Sequence, residues 1–137
     1  MSIEARLEMK TLSLLLTILF FASPAFAKHI NVERHYQDIW CAEQNGQVEV
    51  RMKDGTRCDC LTFDMATEVD FAIKFYEGIG QALHYSMLTS RPGGLLLIVE
   101  SPKDAKFVER AKMLINFYML PITLYVIYPD GASHKAN

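Results

Sequence analysis

The chain has 137 residues, a formal net charge of −2, and hydrophobic residues at half of its positions. That length suffices for one domain with a sizeable core, and that apolar content excludes a disordered body. The slightly acidic balance excludes a surface that is basic throughout, so a polyanionic partner would need a local cationic site.

Residues 1–27 read as a signal peptide. Arg6 and Lys10 precede an apolar run from Leu12 to Ala22, Ser23-Pro24 breaks it, and Ala25-Phe26-Ala27 supplies the small-residue cleavage pattern. The run is short for a membrane span, and an uncleaved N-terminal anchor is the alternative. The mature chain is then expected to begin at Lys28 and to work outside the cytoplasm, periplasmic or secreted. In that oxidising setting Cys41, Cys58 and Cys60 can pair. Cys58 and Cys60 lie two apart on one strand and pair poorly with each other. Cys41 can therefore bridge to either, which leaves one thiol over, buried or open to an intermolecular bridge. Zinc would need a fourth ligand and a Cys-x-x-Cys pair, and the sequence has neither.

From His29 to Gln44 the spacing predicts a helix, with Asn31 as its cap and Arg34 matched to Asp38 at i+4. Val32, Tyr36, Ile39 and Trp40 share one side, and Asn45-Gly46 ends it. Gln47–Met52 alternates as a half-buried strand, Lys53-Asp54-Gly55-Thr56 carries an Asp-Gly hairpin signal, and Arg57–Thr62 returns. On the return strand Arg57, Asp59 and Leu61 face one way and the cysteines the other. Ala66–Phe71 reads as a third strand, with Ala66, Glu68 and Asp70 on one face. A helix from Ala72 to Leu88 has its apolar seam at Phe75, Ile79, Ala82 and Leu83. Leu95–Val99 is a continuous apolar run, expected as a strand covered on both faces. Ser101-Pro102 starts a helix from Lys103 to Tyr118, Ile122–Ile127 is a last strand, and Pro129–Asn137 reads as a loose tail. The order α-β-β-β-α-β-α-β predicts one α/β domain over residues 28–137, with a mixed sheet flanked by helices.

Asp59 and Glu68 fall on neighbouring strands and can point into one cleft. Two carboxylates, completed by water and a substrate phosphate, suit Mg²⁺ or Mn²⁺. Lys74, Gln81 and Tyr85 follow at i, i+7 and i+11, within a helical stripe roughly 40° wide. An ammonium at Lys74 can offset charge that develops on a phosphoryl group, and Gly78 leaves room beside it. Plainer readings exist for each. Lys74 can pair with Glu77 on a solvated face, Gln81 and Tyr85 can be a surface pair, and Gly78 and Gly80 can serve close helix–sheet packing. Asp70 either adds to the metal ligands or sits at their margin.

Residues 31–99 resemble the PD-(D/E)XK nuclease superfamily, whose restriction-endonuclease-like core has the same order α-β-β-β-α-β. Arg57-Cys58-Asp59 matches the family's first acid, Glu68-Val69-Asp70 occupies the (D/E)-x-K position, and Gln81-Ala82-Leu83-His84-Tyr85 matches the Gln-x-x-x-Tyr helix motif of some branches. The resemblance implies a metal-dependent nuclease acting on DNA. Asp59, Glu68 and Asp70 would lie at the metal, with the Val69 carbonyl as a further ligand. Lys74, Gln81 and Tyr85 would complete the catalytic set. Asp70 stands where the family has lysine, and Lys74 is the candidate for a lysine moved to the following helix. Glu43 or Glu49 is the candidate for an extra acid. So small a chain leaves little room for target recognition, which points to weak specificity or to a partner or homodimer. The alternative reading is a non-catalytic periplasmic binding or assembly module on a degenerate nuclease fold.

Overall fold

The structure, a computed structural model, describes residues 28–137, so the signal-peptide reading of residues 1–27 lies outside the described residues. No helix among the described residues is long and apolar enough to cross a membrane. The chain is an α/β protein with a mixed six-stranded sheet in the order β1-β2-β3-β4-β5-β6. The strands are β1 (Gln47–Arg51), β2 (Arg57–Leu61), β3 (Ala66–Phe71), β4 (Gly93–Ile98), β5 (Ile122–Ile127) and β6 (Ser133–Lys135). The helices are α1 (Glu33–Glu43), α2 (Phe75–Thr89) and α3 (Ala105–Phe117). β1, β2 and β3 form an antiparallel meander, β3, β4 and β5 run parallel, and β6 returns antiparallel to β5. Helical crossovers make the parallel half possible, because parallel neighbours cannot be joined by a tight turn.

The helices divide between the two faces. α1 buries Tyr36 and Trp40 against Val69, Phe71, Leu96, Ile98 and Ile127. On the opposite face Phe75, Ile79 and Ala82 of α2 join Val108, Ala111 and Ile115 of α3 over Leu95, Leu97, Leu124 and Val126. The apolar run of β4 is thus covered on both sides, as its composition requires.

Three local expectations change. α1 starts at Glu33, with Val32 at its N-cap and no side-chain cap; Asn31 does not cap it. The segment before it is tied instead by Glu100. Oε1 of Glu100 accepts from the backbone N–H groups of Ile30 and Asn31 at 3.0 and 3.1 Å and from the Tyr36 hydroxyl at 2.7 Å, while Oε2 meets His29 Nδ1 at 2.9 Å. Residues Ala72–Lys74 form a 3₁₀ turn ahead of α2, so Lys74 sits before the helix rather than within it. The segment read as a loose tail carries β6. Gly131 turns the chain at φ +84°, and the Asn137 side-chain amide bonds to Leu124 N at 2.7 Å and Ile122 O at 3.1 Å. These contacts cover the outer edge of β5, whose backbone groups would otherwise be left open.

A disulfide joins Cys41 of α1 to Cys60 of β2, and Cys58 remains a buried free thiol. Gly46 lies directly over the bridge: a Cβ there would meet the two sulfurs at 2.6 and 2.7 Å. The bridge fixes α1 to the strand that carries Asp59.

Candidate active site: a carboxyl pair between β2 and β3

The β2–β3 ladder holds at Cys60↔Thr67 and Leu61↔Ala66 and then stops. The next pair in that register is Asp59 with Glu68. The strands part there, and the Asp59 side chain takes over part of the lost ladder: its Oδ2 accepts from Val69 N at 2.8 Å. The two carboxyl groups lie close enough that each shifts the other's titration. Glu68 is 5% exposed, and its Oε2 is buried with no hydrogen-bond partner.

A buried polar oxygen without a partner costs on the order of 1–3 kcal/mol, and more if it is charged. The fold answers by keeping protons. Burial raises both carboxyl pKa values, and for Glu68 the Asp59 and Asp70 charges raise it further. Both are pushed toward the protonated form, Glu68 further than Asp59. Two carboxyl groups in contact cannot both ionise without a cation between them. Asp70, 4% exposed, is also raised by burial, to about 6, against the pull of Lys74. Buried acids of this kind are poor core material and make this the candidate site.

Each expected residue can now be placed. Asp59 and Glu68 meet. Tyr85 is buried against Cys58 and Ala66, and burial followed by the Glu68 and Asp59 charges raises its phenol pKa. Gln81 lies one turn before Tyr85 on α2 and is half-buried. Lys74 turns toward Asp70, Nζ to Oδ1 3.4 Å, with its side chain about half exposed; Glu77 is not its ion-pair partner. Asp70 is thereby drawn to Lys74. Among the described residues no three of His, Cys, Asp and Glu stand together as a ready ion cage. Gly78 leaves room, but for the core: a Cβ there would meet Leu95 Cδ1 at 2.7 Å. Nothing lies near the corresponding position at Gly80.

Of the two extra acids considered, Glu43 is exposed at the C-terminal end of α1. Glu49 borders the pair. It sits in β1 with φ +56°, Oε2 is 2.8 Å from Arg57 Nη1, and Oε1 accepts from Gln37 Nε2 at 2.9 Å. A left-handed non-glycine residue inside a strand costs on the order of 1–3 kcal/mol, so these bonds hold a strained position.

Two residues of α1 escape a reading by sequence. Glu33 reaches the cluster from the first turn of α1: burial and the Asp59 charge raise its pKa. Gln37, buried, donates from Nε2 to the Asp59 carbonyl at 2.8 Å as well as to Glu49. Cys58, next to Asp59, is chemically quiet. Burial pushes its thiol up to about 12, and its Sγ–H donates to the Cys60 and Thr67 carbonyls.

No family model, curated protein or solved structure matches this chain.

Proposed function

We propose that this chain is a metal-dependent nuclease that hydrolyses phosphodiester bonds of DNA outside the cytoplasm, on a restriction-endonuclease-like core. The observation that carries the reading is the Asp59–Glu68 pair: Glu68 buried and Asp59 half-buried at the point where two strands separate, with one Glu68 oxygen unpartnered. The element order supports the same reading, since it is what the resemblance implies.

The donor set fits a hard cation. Mg²⁺ is commonly held by one or two carboxylates, with water and substrate phosphate completing its shell, so Asp59 and Glu68 suffice without a cage. When bound, Mg²⁺ or Mn²⁺ acidifies a water and neutralises charge on a phosphoryl oxygen. The chain's own groups do the rest. Glu68 gives up its proton as the site fills. Gln37 and the Val69 N–H fix Asp59 from either side. Lys74, held by Asp70, sets a positive charge at the margin of the pair, and Tyr85 and Gln81 position the nucleic-acid backbone.

One observation favours the second reading, a binding module without catalysis. The Lys74 ammonium pairs with Asp70 and not with Asp59 or Glu68. A digestion assay on plasmid and linear DNA separates the two. Cleavage should require Mg²⁺ or Mn²⁺ and stop in EDTA. Asp59→Ala and Lys74→Ala should lower it by about a hundredfold or more, the usual loss for a group that stabilises transition-state charge. Cleavage that ignores EDTA or survives Asp59→Ala sinks the nuclease reading. DNA binding without any cleavage establishes the module.

A further inference from the structure

A nucleic-acid strand that reaches Asp59 and Glu68 must enter a neighbourhood that also holds Glu33, Glu49 and Asp70. Cations have to offset that charge, and most near the site are already committed. Arg57 lies 2.8 Å from Glu49, Arg34 bonds to Asp38 at 2.6 Å, and Lys74 pairs with Asp70. Arg51 and Lys53 differ. Both are exposed, and neither makes an ion pair among the described residues.

Their position is specific. Arg51 is the cross-strand partner of Arg57. Like charges directly opposite on an antiparallel pair are destabilising, and an anion lying across them removes that penalty. Arg57 precedes Asp59 by two strand residues, about 7 Å, a spacing comparable with that of successive phosphates along a strand. The hairpin is also latched. Asp54 Oδ2 meets His84 Nε2 of α2 at 2.7 Å, and the next residue of that helix, Tyr85, is buried against Cys58 and Ala66. Arg51 and Lys53 are therefore held at a fixed offset from Asp59 and Glu68.

We propose that the β1–β2 hairpin is the phosphodiester-binding edge of this site, with Arg51 and Lys53 gripping the backbone of a nucleic-acid strand beside the carboxyl pair. This rests on the nuclease reading for what happens at the pair, but binding is tested apart from cleavage. The experiment measures affinity for a short fluorescent DNA duplex by anisotropy across a salt series in EDTA, where the proposed metal-dependent cleavage cannot run. The proteins are wild type, Arg51→Ala/Lys53→Ala, and a control, Lys103→Ala/Lys106→Ala, on and just before α3.

Removing two phosphate contacts should reduce the slope of log affinity against log salt by about 1.8, and affinity at low salt should fall at least tenfold. The control should match wild type. The charge-keeping swap Arg51→Lys/Lys53→Arg should restore the slope. An unchanged slope in Arg51→Ala/Lys53→Ala, an equal drop in the control, or no wild-type binding at low salt overturns the proposal. If the hairpin binds as described and no metal supports cleavage, the nuclease reading fails alone. If cleavage occurs and the hairpin variant binds like wild type, the hairpin proposal fails alone.

Discussion

Two ends of one row of side chains show how differently this sheet treats its positions. Glu68 pairs with Leu95 and Leu95 with Leu124; Asp70 pairs with Leu97 and Leu97 with Val126. These residues lie on the face that α2 and α3 cover, at equivalent depth. At the β4–β5 end each position is apolar and joins one continuous core. At the β3 end the equivalent positions are carboxyl groups, 5% and 4% exposed. Packing alone would put aliphatic side chains there. Acids at such positions cost stability, and the cost is offset by proton retention on Glu68 and by the Lys74 ion pair of Asp70. One end of the row holds the fold together, and the other is where the proposed cation would bind.

Substitutions at the two ends should therefore have opposite signs. The largest effect is expected at Leu97, fully buried beside Asp70. Leu97→Ala should cost about 2–5 kcal/mol in urea denaturation, from lost burial and a cavity. Metal binding by the molecules that stay folded should not change. A loss of metal affinity there would show that the two ends are not separable.

A smaller effect of the other sign is expected at Glu68. Its folded pKa is raised, so its contribution to stability is fully present below the ordinary carboxyl range near pH 4 and is lost as pH rises through the folded value. Glu68→Gln keeps the shape of the protonated acid at every pH. Without metal it should stabilise the protein by about 1–3 kcal/mol at pH 8 and by little at pH 4. Asp70, raised to about 6, adds a slope of the same sign between about pH 4 and 6, which Glu68→Gln leaves in place. Destabilisation by Glu68→Gln at pH 8 would mean that the carboxylate is charged and satisfied in the fold.

The stable end of the row was the easier to read from sequence. The run Leu95–Val99 and the seam Phe75, Ile79 and Ala82 follow from periodicity, and the Asp54-Gly55 turn follows from its need for positive φ, seen at +89° for Gly55. Strand parity put Asp59 and Glu68 side by side, and helix spacing brought Tyr85 to them. Gln37 and Glu33 were not legible, because their role depends on how α1 docks across the sheet, which no local pattern encodes. Lys74 faces Asp70 rather than Glu77 because it lies on a 3₁₀ turn, outside the helical geometry that its spacing suggested. β6 was missed because all three of its residues are exposed, so it shows no apolar alternation; the Asp130-Gly131 turn was its only local sign.

The central claim is that Asp59 and Glu68 share a proton which a divalent cation displaces. Calorimetric titration with Mg²⁺ and Mn²⁺ at pH 7, repeated in two buffers of different ionisation enthalpy, counts the protons released on binding. The account predicts binding with net proton release in the wild type, release without binding-site loss in Lys74→Ala, and no binding in Asp59→Ala. Metal binding that releases no proton, or that persists in Asp59→Ala, would contradict it.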